Sequence, residues 1–287
     1  MEDQILLASP CLPANPHAQT PYRSAGAPVF QNDLTGLPLQ SSCQMEGRGV
    51  SEQQYPRGNW GPVKPPPAFN VPAIVAVVIG LLAAIFVGLW LGGQDWEVWS
   101  LAVFALIPSR FTDPGLPMLQ GSQYWSLATY MLLHGSWMHL AFNCIWLLIF
   151  GTPVARYLGN GKFLAICLVS GVAGGLASLF LHWGQEIVVV GASGAVMGLM
   201  AAAIPLMYGE RLPRGGWRPA SLPELLRNRR ALVFTGVVLA ITLFSGGTGW
   251  TGNSFLADSG IAWEAHIGGF FGGLLAFYVL APRVQHV

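Results

Sequence analysis

Residues 71–93 read VPAIVAVVIGLLAAIFVGLWLGG, twenty-three positions without a charge. About 20 consecutive apolar residues are enough to cross the hydrocarbon core of a bilayer as a helix. The rest of the chain has the same character. Of 287 residues, 53% are hydrophobic and only 9% are charged, with a net charge of +1. A soluble domain carries about 25% charged residues. So few charges cannot coat a globule in water, which argues against a soluble enzyme, a disordered chain and a nucleic-acid binder. An integral membrane protein remains.

Working outward from 71–93, five more runs have spanning character: 124–150, 163–183, 187–208, 231–250 and 261–281. The expected architecture is an all-α bundle of six transmembrane helices over residues 71–282. The half-length apolar run 98–108 makes the first loop partly membrane-embedded, with Trp96 and Trp99 as interface anchors. Residues 1–70 are rich in Pro, Gly, Ser, Gln and Asn without a helical period. They read as a disordered cytoplasmic tail, and 283–287 as a short C-terminal one. The first 30 residues lack the basic start and apolar core of a cleaved signal peptide. Cys11, Cys43, Cys144 and Cys167 form no CxxC pair and read as free thiols.

Charge placement orients the six spans. Thirteen of the 14 basic residues fall in the tail, the second and fourth loops and the C-terminus; Arg110 alone lies opposite. By the positive-inside rule both termini are cytoplasmic. The compact plan fits a bacterial inner membrane. The opposite, outer side collects Asp95, Glu97, Asp113, Glu186, Asp258 and Glu264.

Polar groups at membrane depth are costly and mark function. Four stand out: His139 and Asn143, at i and i+4 in the second span, Ser193 near the start of the fourth, and His266 near the start of the sixth. The derived orientation brings all four to a similar shallow depth on the outer side. Ser193 lies in Gly191-Ala192-Ser193-Gly194, at a helix start whose free N–H groups can stabilise an oxyanion. Ala265, Gly269 and Gly273 repeat at spacing four beside His266, and Gly194, Gly198 and Ala202 offer a matching stripe. Close packing of the two stripes would carry His266 to Ser193. A serine needs a base to take its proton, and a histidine suits that work near neutral pH. Glu264, two residues before His266, falls on another helical face. The expectation is therefore a Ser–His dyad with no buried carboxylate.

Other readings carry less. His139 and Asn143 could be a polar pair gluing two helices. His134, His139 and His266 could hold zinc, but there is no HExxH and no acidic residue in the second span. A proton-relaying transporter would want mid-membrane carboxylates and an inverted repeat. No metal and no cofactor is expected.

The chain resembles the rhomboid family of intramembrane serine proteases. The resemblance rests on His134-Gly135-Ser136-Trp137-Met138-His139-Leu140-Ala141-Phe142-Asn143, on Gly191-Ala192-Ser193-Gly194, and on Ala265-His266 followed by Gly269 and Gly273, in that order and in three different spans. It implies an endopeptidase that cuts transmembrane segments of membrane proteins near the outer face, in the lipid bilayer. It also implies that Ser193 is the nucleophile and His266 the general base. His139 and Asn143, with the Ser193 backbone N–H, would stabilise the oxyanion. His134 would be structural. Two positions depart from the family pattern. Ser126 follows Trp125 where many members have arginine, and Met197 stands where many bacterial members stack an aromatic ring on the histidine. A rhomboid-like factor that binds membrane proteins without cutting them is the alternative, although such factors typically lack the serine or the histidine.

Overall fold

In the computed structural model, residues 71–113, 119–213, 216–247 and 262–282 are described. The readings of 1–70 and 283–287 as tails, and of Cys11, Cys43, Arg214 and Asp258, lie outside them. Helices dominate: α1 Ala73–Gly92, α2 Gln94–Phe104, α3 Ser122–Thr129, α4 Trp137–Leu158, α5 Asn160–Leu181, α6 Ser193–Met207, α7 Leu222–Arg227, α8 Arg229–Gly247 and α9 Trp263–Leu280. A small hairpin, β1 Glu210–Arg211 with β2 Trp217–Arg218, departs from the purely helical expectation. Arg218 of that hairpin forks both carboxylate oxygens of Glu224 in α7 and holds that carboxyl down to about 2.

Among the described residues, four helices, α1, α4, α5 and α9, are long and apolar enough to cross a membrane. The six expected runs thus yield four such helices, together with the 15-residue α6 and the 19-residue α8, which begins on Arg229-Arg230. Two boundaries move. The run 124–150 is not one helix: α3 is followed by a tight turn at Tyr130–Leu132, and α4 starts only at Trp137. There the Ser136 hydroxyl accepts from the His139 N–H as an N-cap. The run 187–208 becomes helical only at Ser193. Its first residues are extended, with Val189 bridged to Leu106 and the Gly191 N–H donating to the Tyr130 carbonyl. Hydropathy cannot separate these cases. Extended backbone tolerates an apolar setting where other protein satisfies its polar groups.

The glycine at 159 takes φ +81°, which lets α4 stop and α5 begin at once and run back. The bond from Lys162 Nζ to the Leu280 carbonyl marks one end of the antiparallel α5–α9 pair. Helix α6 is the centre of the core. Every residue from Gly191 to Leu206 is buried except Ser193. Around it, α5 and α9 pack through small residues: Gly194 against Gly269, Gly198 against Gly273, and Gly268 and Gly272 against Ala173. Outward-facing apolar side chains such as Leu91, Leu168, Leu275 and Val279 suit a lipid setting.

The first loop is tied down without the missing arginine at 126. Arg110, only 5% exposed, donates from Nη1 to the Ala105 carbonyl and from Nη2 to the Leu101 carbonyl. Trp125 Nε1 donates to the Val103 carbonyl and Thr129 Oγ1 to that of Phe104. The last carbonyls of a helix have no partner inside it; here side chains of the loop supply those of Val103, Phe104 and Ala105, and Leu101 receives Arg110 in addition to the Ala105 N–H. Trp96 and Trp99 are exposed on α2.

Candidate active site

Ser193 is the first residue of α6, and the segments on both sides of it are pinned. Two residues before it, Gly191 has φ +119°, a conformation that favours glycine, and the His139 ring lies where a Cβ would stand. One residue after it, Gly194 faces the Ala265 carbonyl and the Tyr130 hydroxyl. Ser193, partly exposed, therefore sits between the His139 imidazole on one side and the first turn of α9 on the other.

His266 lies in that first turn, directly after Ala265, and is also partly exposed. The expected contact of the two small-residue stripes is present: Gly194 with Gly269 and Gly198 with Gly273. It brings the helix carrying the serine against the helix carrying the histidine at the ends where both begin. Among the described residues, no hydrogen bond joins the Ser193 and His266 side chains. Such bonds are often long in a free enzyme and tighten on substrate.

His139 stands at the third position of α4, and Asn143 one turn deeper and buried. Asn143 Nδ2 donates to the His139 carbonyl at 3.0 Å. That uses one of two amide N–H bonds and leaves the other to donate. His134 precedes α4 and packs its ring edge-on to that of His139, centroids 5.1 Å apart. Met197 is buried one turn after Ser193.

Three features escaped the sequence reading. Tyr130 is buried and donates to the Gly171 carbonyl at 2.8 Å, filling the space between α5 and the start of α6. Arg110, read only as a charge on the wrong side, is a structural cap of α2. Glu264, expected only to fall on another helical face than His266, is a buried carboxylate, 4% exposed. Its Oε1 accepts from Ser178 Oγ at 2.9 Å and faces His182 Nε2 at 3.2 Å. It points to α5, as its place two residues from His266 requires, so it is not joined to His266. A single acidic residue at a span start carried no signal of these distant partners.

The rhomboid domain family matches residues 121–283. The chain is 30% identical over 180 residues to Rhomboid protease AarA of Providencia stuartii, covering 57% of this chain and 59% of that protein. It is 30% identical over 207 residues to Rhomboid protease GluP of Bacillus subtilis, covering 71% of this chain and 34% of that one. With Rhomboid protease GlpG of Pectobacterium atrosepticum the identity is 38% over 96 residues, a third of each chain. The chain thus spans between about a third and three fifths of these relatives' lengths. With a family match across more than half its length, on a bundle of apolar helices, this integral membrane chain belongs to the rhomboid family.

Proposed function

We propose that the protein is an intramembrane serine endopeptidase that cleaves transmembrane segments of membrane proteins near the outer membrane face. One observation carries this reading most directly. Ser193 is the single residue not buried between Gly191 and Leu206, and its flanks touch the His139 ring and the start of α9. The similarity to relatives named as rhomboid proteases agrees with it.

In this mechanism Ser193 Oγ attacks the scissile carbonyl while His266 takes the hydroxyl proton. The resulting oxyanion is met by the Ser193 backbone N–H, the free N–H of Asn143 and the His139 ring. His266 then gives its proton to the leaving amine. Water, activated by the same histidine, releases the acyl group from Ser193. No carboxylate takes part: Glu264 is committed to Ser178 and His182. In this reading α6 and α8 complete a six-helix bundle with both termini cytoplasmic. Helix α6 can be short because protein surrounds it rather than lipid.

Substrate must reach Ser193 sideways from the bilayer. Helix α8 is the candidate gate: it packs mainly against α9 and the short α7. A helical substrate shields its own peptide bonds, so segments with helix-weakening residues near their outer ends should be preferred.

The test is cleavage of a model transmembrane substrate by the purified protein, with fluorophosphonate labelling beside it. Ser193→Ala and His266→Ala should each abolish cleavage, and Ser193→Ala should abolish labelling. A wild-type chain that neither labels nor cuts would leave the non-cutting, membrane-protein-binding reading in its place.

A further inference from the structure

Near its start α9 meets its neighbours along a face of small residues, while its large buried anchors, Phe270 and Phe277, come one turn and more after His266. Gly194, Gly198, Gly268, Gly269, Gly272, Gly273 and Ala173 bring backbones together with few side chains to interlock. Such stripes allow close approach but do little to fix one helix along another. Among the described residues, the start of α9 is held by packing of the buried Ala265 against Gly174 and Gly194 and by few directional contacts. Its N-cap, Ala262, supplies no side-chain hydrogen bond. Its first turn closes through the Ala265 and His266 N–H groups, which both reach the Ala262 carbonyl at 3.1 and 3.3 Å.

Glu264 is the directional contact in this turn. Its carboxylate leaves α9, crosses to α5 and ends on Ser178 and His182. His182 Nδ1 in turn meets Gln185 Oε1 at 3.0 Å. The Gln185 carbonyl accepts from the Ser109 N–H of the first loop at 3.0 Å. A continuous polar chain thus links the first loop, the end of α5 and the start of α9. A carboxylate buried to this degree would be strongly unfavourable without such partners. Placed in the first turn of α9, it also meets the positive end of the helix dipole.

We propose that Glu264 is a positioning residue for His266. Clamped by Ser178 and His182, it fixes the axial and rotational register of the first turn of α9, and so the reach of the imidazole two residues on. This inference rests on the reading of His266 as the base. One residue of slip along a helix is about 1.5 Å, and an error of about 1 Å in a catalytic group can cost about 10²-fold in rate.

The experiment measures kcat and KM for a transmembrane substrate, with kcat normalised to active sites titrated by a fluorophosphonate, and thermal unfolding in parallel. Glu264→Ala should lower kcat per titrated site about tenfold or more, with KM unchanged. Glu264→Gln should recover most of the loss, because its amide oxygen still accepts from Ser178 and His182. A purely structural role would instead lower the melting temperature and the number of titrated sites, leaving kcat per site as in wild type. The proposal is overturned if Glu264→Ala keeps kcat per site within twofold, if the loss lies in KM, or if Glu264→Gln loses as much as Glu264→Ala. Should Glu264→Ala not fold, the double variant Ser178→Ala/His182→Gln attacks the clamp from α5 and is judged by the same criterion. His266→Ala runs alongside: activity retained there would refute the dyad itself, a result distinct from failure of the clamp.

Discussion

Gly269 of α9 meets Gly194 of α6 backbone to backbone: the Gly194 carbonyl occupies the place a Cβ on Gly269 would take. One turn further on, Gly273 stands in the same relation to Gly198. The serine and the histidine thus belong to two helices whose separation is set by missing side chains.

Gly269→Val should therefore push α9 away from α6. Inserting methyl groups into such a contact costs about 1–3 kcal/mol. The expected outcome is a lower melting temperature together with loss of fluorophosphonate labelling at Ser193. Gly236, on α8, has open space where a Cβ would stand. Gly236→Ala is the control and should change neither.

Arg110 is the second test of architecture. Its guanidinium serves the Leu101 and Ala105 carbonyls from a buried position. Arg110→Met fills similar volume but removes the side-chain donor from both carbonyls; Leu101 keeps the Ala105 N–H, so the cost of about 1–3 kcal/mol falls on the Ala105 carbonyl where no water reaches it. Arg110→Lys restores the charge but not the two-pronged geometry. Limited proteolysis of the first loop should proceed fastest in Arg110→Met and at an intermediate rate in Arg110→Lys. Equal rates in all three proteins would mean that the loop is held by Trp125 and Thr129 instead.

How far the sequence announces this structure depends on the kind of contact. Ser193, His266, His139 and Asn143 are legible because polar side chains are rare in apolar runs, and the glycine stripes are legible from their spacing. The start of α4 is not. Residues 124–136 are as uncharged as a spanning helix, yet Tyr130–Leu133 turn into the protein, where the Gly191 N–H and the Gly171 carbonyl satisfy Tyr130. Hydropathy scores the side chains and is blind to that backbone pairing. Glu264 is illegible for a related reason: its partners lie on another helix, and a buried carboxylate looks the same in sequence as an exposed one. The same holds for Arg110, which a count of charges assigns to a side of the membrane and the fold assigns to the end of α2.

Asn143 tests the oxyanion assignment. Its side chain is buried, and one amide N–H is already spent on the His139 carbonyl. If the other meets the oxyanion, Asn143→Ala should lower kcat by about 10²–10³-fold. Asn143→Asp, which offers acceptors in place of the donor, should be at least as damaging. A loss confined to thermal stability, with kcat intact, would make Asn143 a helix-gluing residue.

Lateral entry makes the last prediction. Helix α8 leans mainly on α9 and α7, which leaves it the least anchored of the long helices. If substrate passes between α8 and α4, joining the two should stop cleavage without harming the dyad. The native cysteines Cys11, Cys43, Cys144 and Cys167 must first be replaced, the last two being free thiols in the bundle. One cysteine is then placed on α4 and one on α8, and the pair is bridged by a short bifunctional reagent. Cleavage of a transmembrane substrate should fall to background and return when the bridge is reduced. Labelling of Ser193 by a small fluorophosphonate should persist throughout, because that probe needs no opening between helices. Undiminished cleavage in the bridged protein would move the entry route elsewhere in the bundle.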